Sequence, residues 1–221
     1  MNYQPHWDII YQYRHLLLDG LLATVHLVLA ALPISVLLGL FVAAGRSFLR
    51  GRWSMLSKLC EAYVEFFRNI PPIVQFFFWN FAVGLGAFPA ALVALSVSSS
   101  AYIAEIIRAG IASIPKAQGE AARSSGLSEW QTIFHVILPQ AMIRVIPPLS
   151  IEFINIIKNS SVAMTIGFAE LTFQTQEIEA RSFRGFEAAT AVTVLYVLLS
   201  SVVVILMHAA ERAVRLDIRK G

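Results

Sequence analysis

Between Leu21 and Gly45 the chain carries no Asp, Glu, Lys or Arg, and His26 is the only ionisable side chain in the stretch. A bilayer core about 30 Å thick is crossed by about 20 apolar residues in a helix. This segment is long enough to make the crossing, and composition argues against burying it in a soluble fold instead. Of the 221 residues, 57% are hydrophobic and 14% charged, too little polar surface for a soluble domain of this length. The chain is therefore read as an all-α integral membrane protein, one transmembrane domain over residues 1–221. No basic stretch precedes the run, which is also longer than a signal-peptide core, so it is expected to be retained as span 1.

Four more spans follow. The stretch from Asn69 to Ala104 has no charge and is too long for one crossing at about 1.5 Å per residue, and Gly84-Leu85-Gly86-Ala87-Phe88-Pro89 offers a turn in its middle. Span 2 is placed at about 59–81, span 3 at 90–110, span 4 at 142–168 and span 5 at 188–210, with span 1 at 21–45. Arg46, Arg50, Arg52 and Lys58 follow span 1, Lys116 and Arg123 follow span 3, and Arg212, Arg215, Arg219 and Lys220 follow span 5. The opposite side has Arg14, Arg181 and Arg184. Positive residues accumulate in cytoplasmic loops, so the N-terminus is expected outside and the C-terminus in the cytoplasm. Trp53 and Trp79, near the two ends of span 2, are read as interfacial anchors or packing aromatics. The net charge of +3 and pI near 9.2 come from short clusters, which suits lipid headgroups and topology, not nucleic acid. One cysteine, Cys60, and five scattered His support neither a disulfide framework nor a metal site.

The connection between spans 3 and 4 is longer than a helical hairpin needs. Pro115 is placed to open a helix, Lys116 to Ser125 contain good helix formers, and Gly126 can take the left-handed conformation that ends one. Ser128 and Gln131 make a capping box, and Trp130, Ile133, Phe134 and Ile137 recur at helical spacing up to Pro139. Two short helices joined at a glycine are expected, either projecting into the cytoplasm or lying along the membrane surface.

Within this loop Glu120-Ala121-Ala122, Gly126 and Val136-Ile137-Leu138-Pro139 resemble the EAA loop of the membrane (permease) subunits of bacterial binding-protein-dependent ABC importers. Val136, in an isoleucine place, is the one departure. Tyr63-Val64-Glu65-Phe66-Phe67-Arg68-Asn69, Gln75, Ala101-Tyr102-Ile103-Ala104-Glu105, Ser113-Ile114-Pro115 and Lys158-Asn159-Ser160 are similar to the polar amino-acid branch. Within it the Tyr63–Asn69 segment and the run Ile157-Lys158-Asn159-Ser160 look most similar to permeases for glutamate and aspartate or for general L-amino acids. The resemblance implies a type I ABC importer fold in the bacterial inner (cytoplasmic) membrane. It also implies a coupling helix that fits a cleft in an ABC ATPase dimer, with Glu120, Ala121, Ala122, Gly126, Leu127 and Pro139 as docking residues. Further partners implied are a second permease subunit, identical or paralogous, and a periplasmic or extracellular amino-acid-binding protein. None of the twelve glycines is followed by lysine, so the chain has no phosphate loop, and ATP-Mg is expected in the partner ATPase. The chain itself is expected to be a translocation subunit without enzyme activity, cofactor or metal.

Ionisable groups inside spans are costly and usually face a wet cavity or another helix. Glu152, Asn155 and Asn159 share one face of span 4, with Lys158 beside it. They are read either as the lining of the route, with Lys158 and Arg68 meeting the carboxylates of an amino acid, or as glue between helices. Glu65 is expected to pair with Arg68, and Glu105 with Arg108, each three residues on. Glu105 and Gln75 are also kept as candidate pathway residues, and His26 is read as a packing histidine. Arg68-Asn69-Ile70-Pro71-Pro72 echoes Arg144-Val145-Ile146-Pro147-Pro148, which predicts two helices kinked or restarted at similar depth. The expected function is ATP-driven import of polar amino acids, acidic ones first. An ion-gradient-driven transporter or channel is the alternative. No Ser/His, paired-Asp or His-Glu-x-x-His arrangement supports an intramembrane enzyme.

Overall fold

A computed structural model describes residues 4–48 and 54–218. Arg50, Arg52, Trp53, Arg219 and Lys220 lie outside the described residues. Within these the chain is helical and no strand is present. A short α1 (Asp8–Gln12) leads into α2 (Arg14–Phe48), and after the next connection come α3 (Ser54–Asn69) and α4 (Pro72–Phe77). A turn at Gly84, with φ at +80°, opens α5 (Ala87–Ala112), as the glycine pair predicts. Next come α6 (Lys116–Ser124), α7 (Glu129–Thr132) and α8 (Leu138–Ser160). The 3-10 segment Ser161–Ile166, α9 (Leu171–Ser182) and α10 (Gly185–Ile218) complete the chain.

Four helical stretches are long and apolar enough to cross a membrane: Arg14–Ser47, Ala87–Ala112, Glu129–Ile166 and Gly185–Val214. They contain expected spans 1, 3 and 5 and nearly all of span 4, each helix running beyond the apolar stretch at one or both ends. Span 2 differs, because it is not one helix. Pro71 and Pro72 remove two successive backbone donors, Pro71 turns to ψ 137°, and α4 restarts beyond the break before widening into a π-helical turn over Phe78–Ala82. The echoing pair behaves otherwise. Pro147 and Pro148 sit inside α8, which runs through them unbroken.

A second difference concerns Pro139, expected to end the loop's second helix. Instead α7 passes through a π-helical turn, Ile133–Ile137, straight into α8. A proline inside a helix removes one donor and crowds the carbonyl four residues back; for Pro139 that carbonyl belongs to His135, within the π-helical turn, whose wider winding makes room for the ring. The second loop helix and span 4 are thus one continuous rod.

The bundle packs α2, α5 and α8 around Leu27, Ala31, Ala94, Leu95 and Ile156, all 0–2% exposed. Small residues let these helices approach. A Cβ on Gly39 would stand 2.6 Å from Ile103 Cγ2, and one on Gly110 would overlap Val145 Cγ2, which is close packing of the kind that holds helices together in lipid. A layer of α1, α9 and the start of α10 covers the end of the bundle where α2 begins, sharing Ile9, Leu17, Leu171, Ile178, Ala188 and Val192. Buried carboxylates pin it. Glu170 accepts from Thr172 N at 2.9 Å, Phe173 N at 2.8 Å and the Tyr196 hydroxyl at 2.6 Å, and Glu187 accepts from His6 N at 2.7 Å. Outward-facing Leu22, Leu29, Leu37 and Phe41 on α2 and Val197, Val202 and Ile205 on α10 remain exposed, as lipid-facing surface should.

Candidate docking loop and translocation path

The loop between α5 and α8 is built from two capping devices in series. Pro115 precedes the first residue of α6. At the far end of that helix Gly126 N donates to Arg123 O at 2.9 Å and Leu127 N to Ala122 O at 3.2 Å. This is the Schellman pattern, which needs a left-handed residue between its two bonds. Gly126 has φ +92° and open space around it, so backbone conformation and not crowding selects glycine. Immediately afterwards Ser128 Oγ accepts from Gln131 N at 3.3 Å while Gln131 Oε1 accepts from Ser128 N at 2.9 Å, the expected capping box. Of the expected docking residues, Glu120, Ala121 and Gly126 are exposed, Leu127 and Pro139 are half-buried, and Ala122 is buried. Trp130 and Phe134, four residues apart, stack with ring centroids 6.0 Å apart while 66% and 57% exposed. Sequence spacing put both on a helix, but it did not mark them as the face left open.

At the break in span 2 the orphaned carbonyls find partners. Phe67 O would bond the N–H of residue 71, and Arg68 O that of residue 72, but both positions are proline. Gln75 Nε2 donates to Phe67 O and to Ile70 O, each at 3.1 Å, and the Tyr102 hydroxyl of α5 donates to Arg68 O at 3.3 Å. Gln75, a candidate pathway residue by sequence, is 3% exposed and engaged by backbone. A glutamine four residues after a proline was the available signal.

The Arg68 guanidinium does not pair with Glu65; it lies 5.3 Å from the Tyr102 ring centroid, a cation–π contact. Glu105 pairs with Arg108, Oε1 to Nη2 at 2.5 Å, and also takes Arg46 Nη1 of α2 at 2.6 Å. Arg46 in turn lies 3.8 Å from Glu61 of α3. Four charges thus tie α2, α3 and α5 at the end of the bundle where α2 finishes. Arg46 was missed by sequence reasoning, which sees only neighbours on one helix.

Two cavities hold the candidate pathway cations. One, of about 400 Å³, is lined by Arg68, Tyr102, Glu105, Ser113, Arg144 and Pro148, with Arg144 Nη1 donating to Ser113 O at 2.8 Å. The other, of about 370 Å³, is lined by Lys158, Ser161, Thr172, Thr175, Thr193 and Tyr196. Arg68 and Lys158, expected to meet one substrate together, therefore stand in separate cavities. Glu152 faces inward at 5% exposure and accepts from Asn155 Nδ2 at 3.4 Å; Asn159, on the same face, is half-buried.

A model of the family described as "Binding-protein-dependent transport system inner membrane component" matches residues 9–216. The chain belongs to this family. The permease is 36% identical over 217 residues to the glutamine transport system permease protein GlnP of Escherichia coli (strain K12), covering 95% of this chain and 98% of that one. The glutamate/aspartate import permease protein GltJ of the same organism is 32% identical over 221 residues, covering 92% and 89%. A solved structure described as "Crystal structure of an amino acid ABC transporter with histidines" matches with a TM-score of 0.85 at 33% identity, covering 96% of this chain and all of that one. The permease accordingly has the all-helical fold of type I ABC importer membrane subunits and belongs in the inner membrane.

Proposed function

We propose that this permease is the membrane subunit of an ATP-driven importer of polar amino acids of the glutamate–glutamine kind, with acidic ones preferred. The observation that carries the substrate class is the charge lining the two cavities that hold Arg68 and Lys158. Glu105 is already neutralised by Arg46 and Arg108, whereas Arg68, Arg144 and Lys158 have no carboxylate within ion-pair distance among the described residues. All three are exposed and line a cavity, so each is open to a mobile anion. An α-carboxylate with a side-chain carboxylate or amide meets that need by charge-assisted hydrogen bonds. The similarity to glutamine and to glutamate/aspartate permeases at comparable identity fits the same class.

In this reading the N-terminus is outside, the C-terminus cytoplasmic, and the broken α3–α4 unit is a fifth crossing. The knob formed by α6 and α7 meets an ABC ATPase dimer through Glu120, Ala121, Ala122, Gly126, Leu127 and Pro139, helped by the exposed Trp130 and Phe134. ATP-Mg binds in that partner. Because α7 continues into α8, displacement of the knob moves the rod that carries Glu152, Asn155, Lys158 and Asn159. Alternating access then follows from two packings of rigid helices, each favoured by a different nucleotide state. A second permease subunit completes the path, and an external binding protein delivers the cargo.

The test is uptake by vesicles holding the full complex and its binding protein. Glutamate, aspartate and glutamine are expected to enter with ATP inside and to compete with one another. Uptake of arginine or histidine alone would reject the substrate class, and uptake that ignores ATP but collapses with the ion gradient would reject the importer.

A further inference from the structure

Where α2 and α10 begin, they and α1 enclose a groove of about 470 Å³ that the transport reading does not use. Its walls are Ile10, Leu17, Leu21, Ala191, Val194 and Leu195, and its single charged side chain is Arg14 at one end. Arg14 is exposed, lies 4.1 Å from the Tyr11 ring centroid and donates to Tyr11 O at 3.0 Å. No carboxylate stands within ion-pair distance of it among the described residues. Trp7 lines the same end, 52% exposed, with its ring centroid 6.2 Å from that of Phe186, itself 58% exposed and one turn before Thr190 of the groove wall.

We propose that this groove is a phospholipid site, one acyl chain lying between α2 and α10 with the headgroup phosphate on Arg14. Three features select lipid over a protein segment. Both long helices are apolar enough to cross the bilayer, and Leu18 of the groove wall together with Leu22 and Val197 further along the two helices are exposed and apolar, so the groove opens onto the outward apolar surface of the bundle. Trp7 lines its end, and Trp is an aromatic type enriched where headgroups meet hydrocarbon. Among the described residues the Arg14 guanidinium has one hydrogen bond, to Tyr11 O, and no carboxylate partner, which leaves further N–H donors for a phosphate. From Arg14 to Leu21 the groove spans about 10 Å along the helix, a third of the hydrocarbon thickness.

The intact importer, reconstituted with a phosphatidylglycerol carrying a photoreactive acyl chain, provides the test. Cross-links are expected to concentrate between residues 7 and 21 and between residues 190 and 195, above those at Leu29 and Leu37 on the open lipid face. Arg14→Gln should lower groove labelling about fivefold, the effect of one interfacial cation on an anionic headgroup. Ala191→Trp should lower it by filling the channel with Arg14 intact. Both should leave Leu29 and Leu37 labelling unchanged. Labelling no greater in the groove than on the open face, or indifferent to both substitutions, would overturn the site. So would an Arg14→Gln complex that keeps its lipid labelling but loses capture of the binding protein, which would assign Arg14 to a protein contact.

Discussion

Replacing Gln75 with leucine separates two roles for this buried amide. Its Nε2 holds Phe67 O and Ile70 O at 3.1 Å each. No backbone donor stands in for it: residue 71 is proline, and Val74 N is turned to Pro71 O at 3.0 Å. Each hydrogen bond contributes about 1 kcal/mol net, and a carbonyl left dry costs somewhat more. Gln75 Oε1 has no partner, so leucine recovers a little by removing it. The balance is a loss of about 2 kcal/mol, a fall of roughly 4–8 °C in the thermal midpoint for a chain of this size. The assay is thermal unfolding of purified Gln75→Leu permease in detergent, together with concentration-dependent uptake in vesicles. Lower stability with an unchanged apparent KM is expected. Parental stability with a raised KM would refute the reasoning and return Gln75 to the substrate path.

Further outcomes follow from other contacts. Glu105→Gln leaves Arg108 without its anion and Arg46 with only Glu61, 3.8 Å away; because Glu105 is 23% and Arg46 11% exposed, the loss should be about 2 kcal/mol, below that of a fully buried pair, and thermal midpoints of single and double variants with Arg46→Gln will measure it. Trp130→Ala should leave the midpoint unchanged, since its ring is exposed, but reduce ATPase stimulation by the loaded binding protein. Glu170, outside the long helices, has its carboxyl pushed above the ordinary value of 4.5 by burial, against the opposing hydrogen bonds from Thr172, Tyr196 and Phe173. A raised folded-state value means that stability is greatest below that range and declines as pH rises through it; midpoints measured across pH should show this slope, and Glu170→Gln should remove it.

The long helices and the loop caps were legible in the sequence because each depends on local chemistry: charge-free runs, Gly84 and Gly126 at turns, and Ser128 with Gln131 three residues on. What was not legible depended on contacts across helices. Glu105 and Arg108 lie one helical turn apart and were readable, whereas Arg46 reaches Glu105 from another helix. The two Arg-x-x-Pro-Pro segments read alike, but only the first breaks, and there Gln75 and Tyr102 take up the freed carbonyls. Pro139 looked like an end because proline ends many helices; the π-helical turn before it let the helix continue. Lys158 and Arg68 were grouped by charge, and tertiary packing set them in different cavities.

The central claim is that the Gly126 knob transmits ATP hydrolysis to α8. Its most direct test is ATPase activity of the reconstituted complex, with and without loaded binding protein, for Gly126→Ala and Gly126→Trp. Both impose a side chain at φ +92°, costing about 1–2 kcal/mol of local strain, and only tryptophan adds bulk to the docking face. Both should insert and assemble, with Gly126→Ala retaining most of the stimulation and Gly126→Trp losing it. Full stimulation in Gly126→Trp would contradict the account.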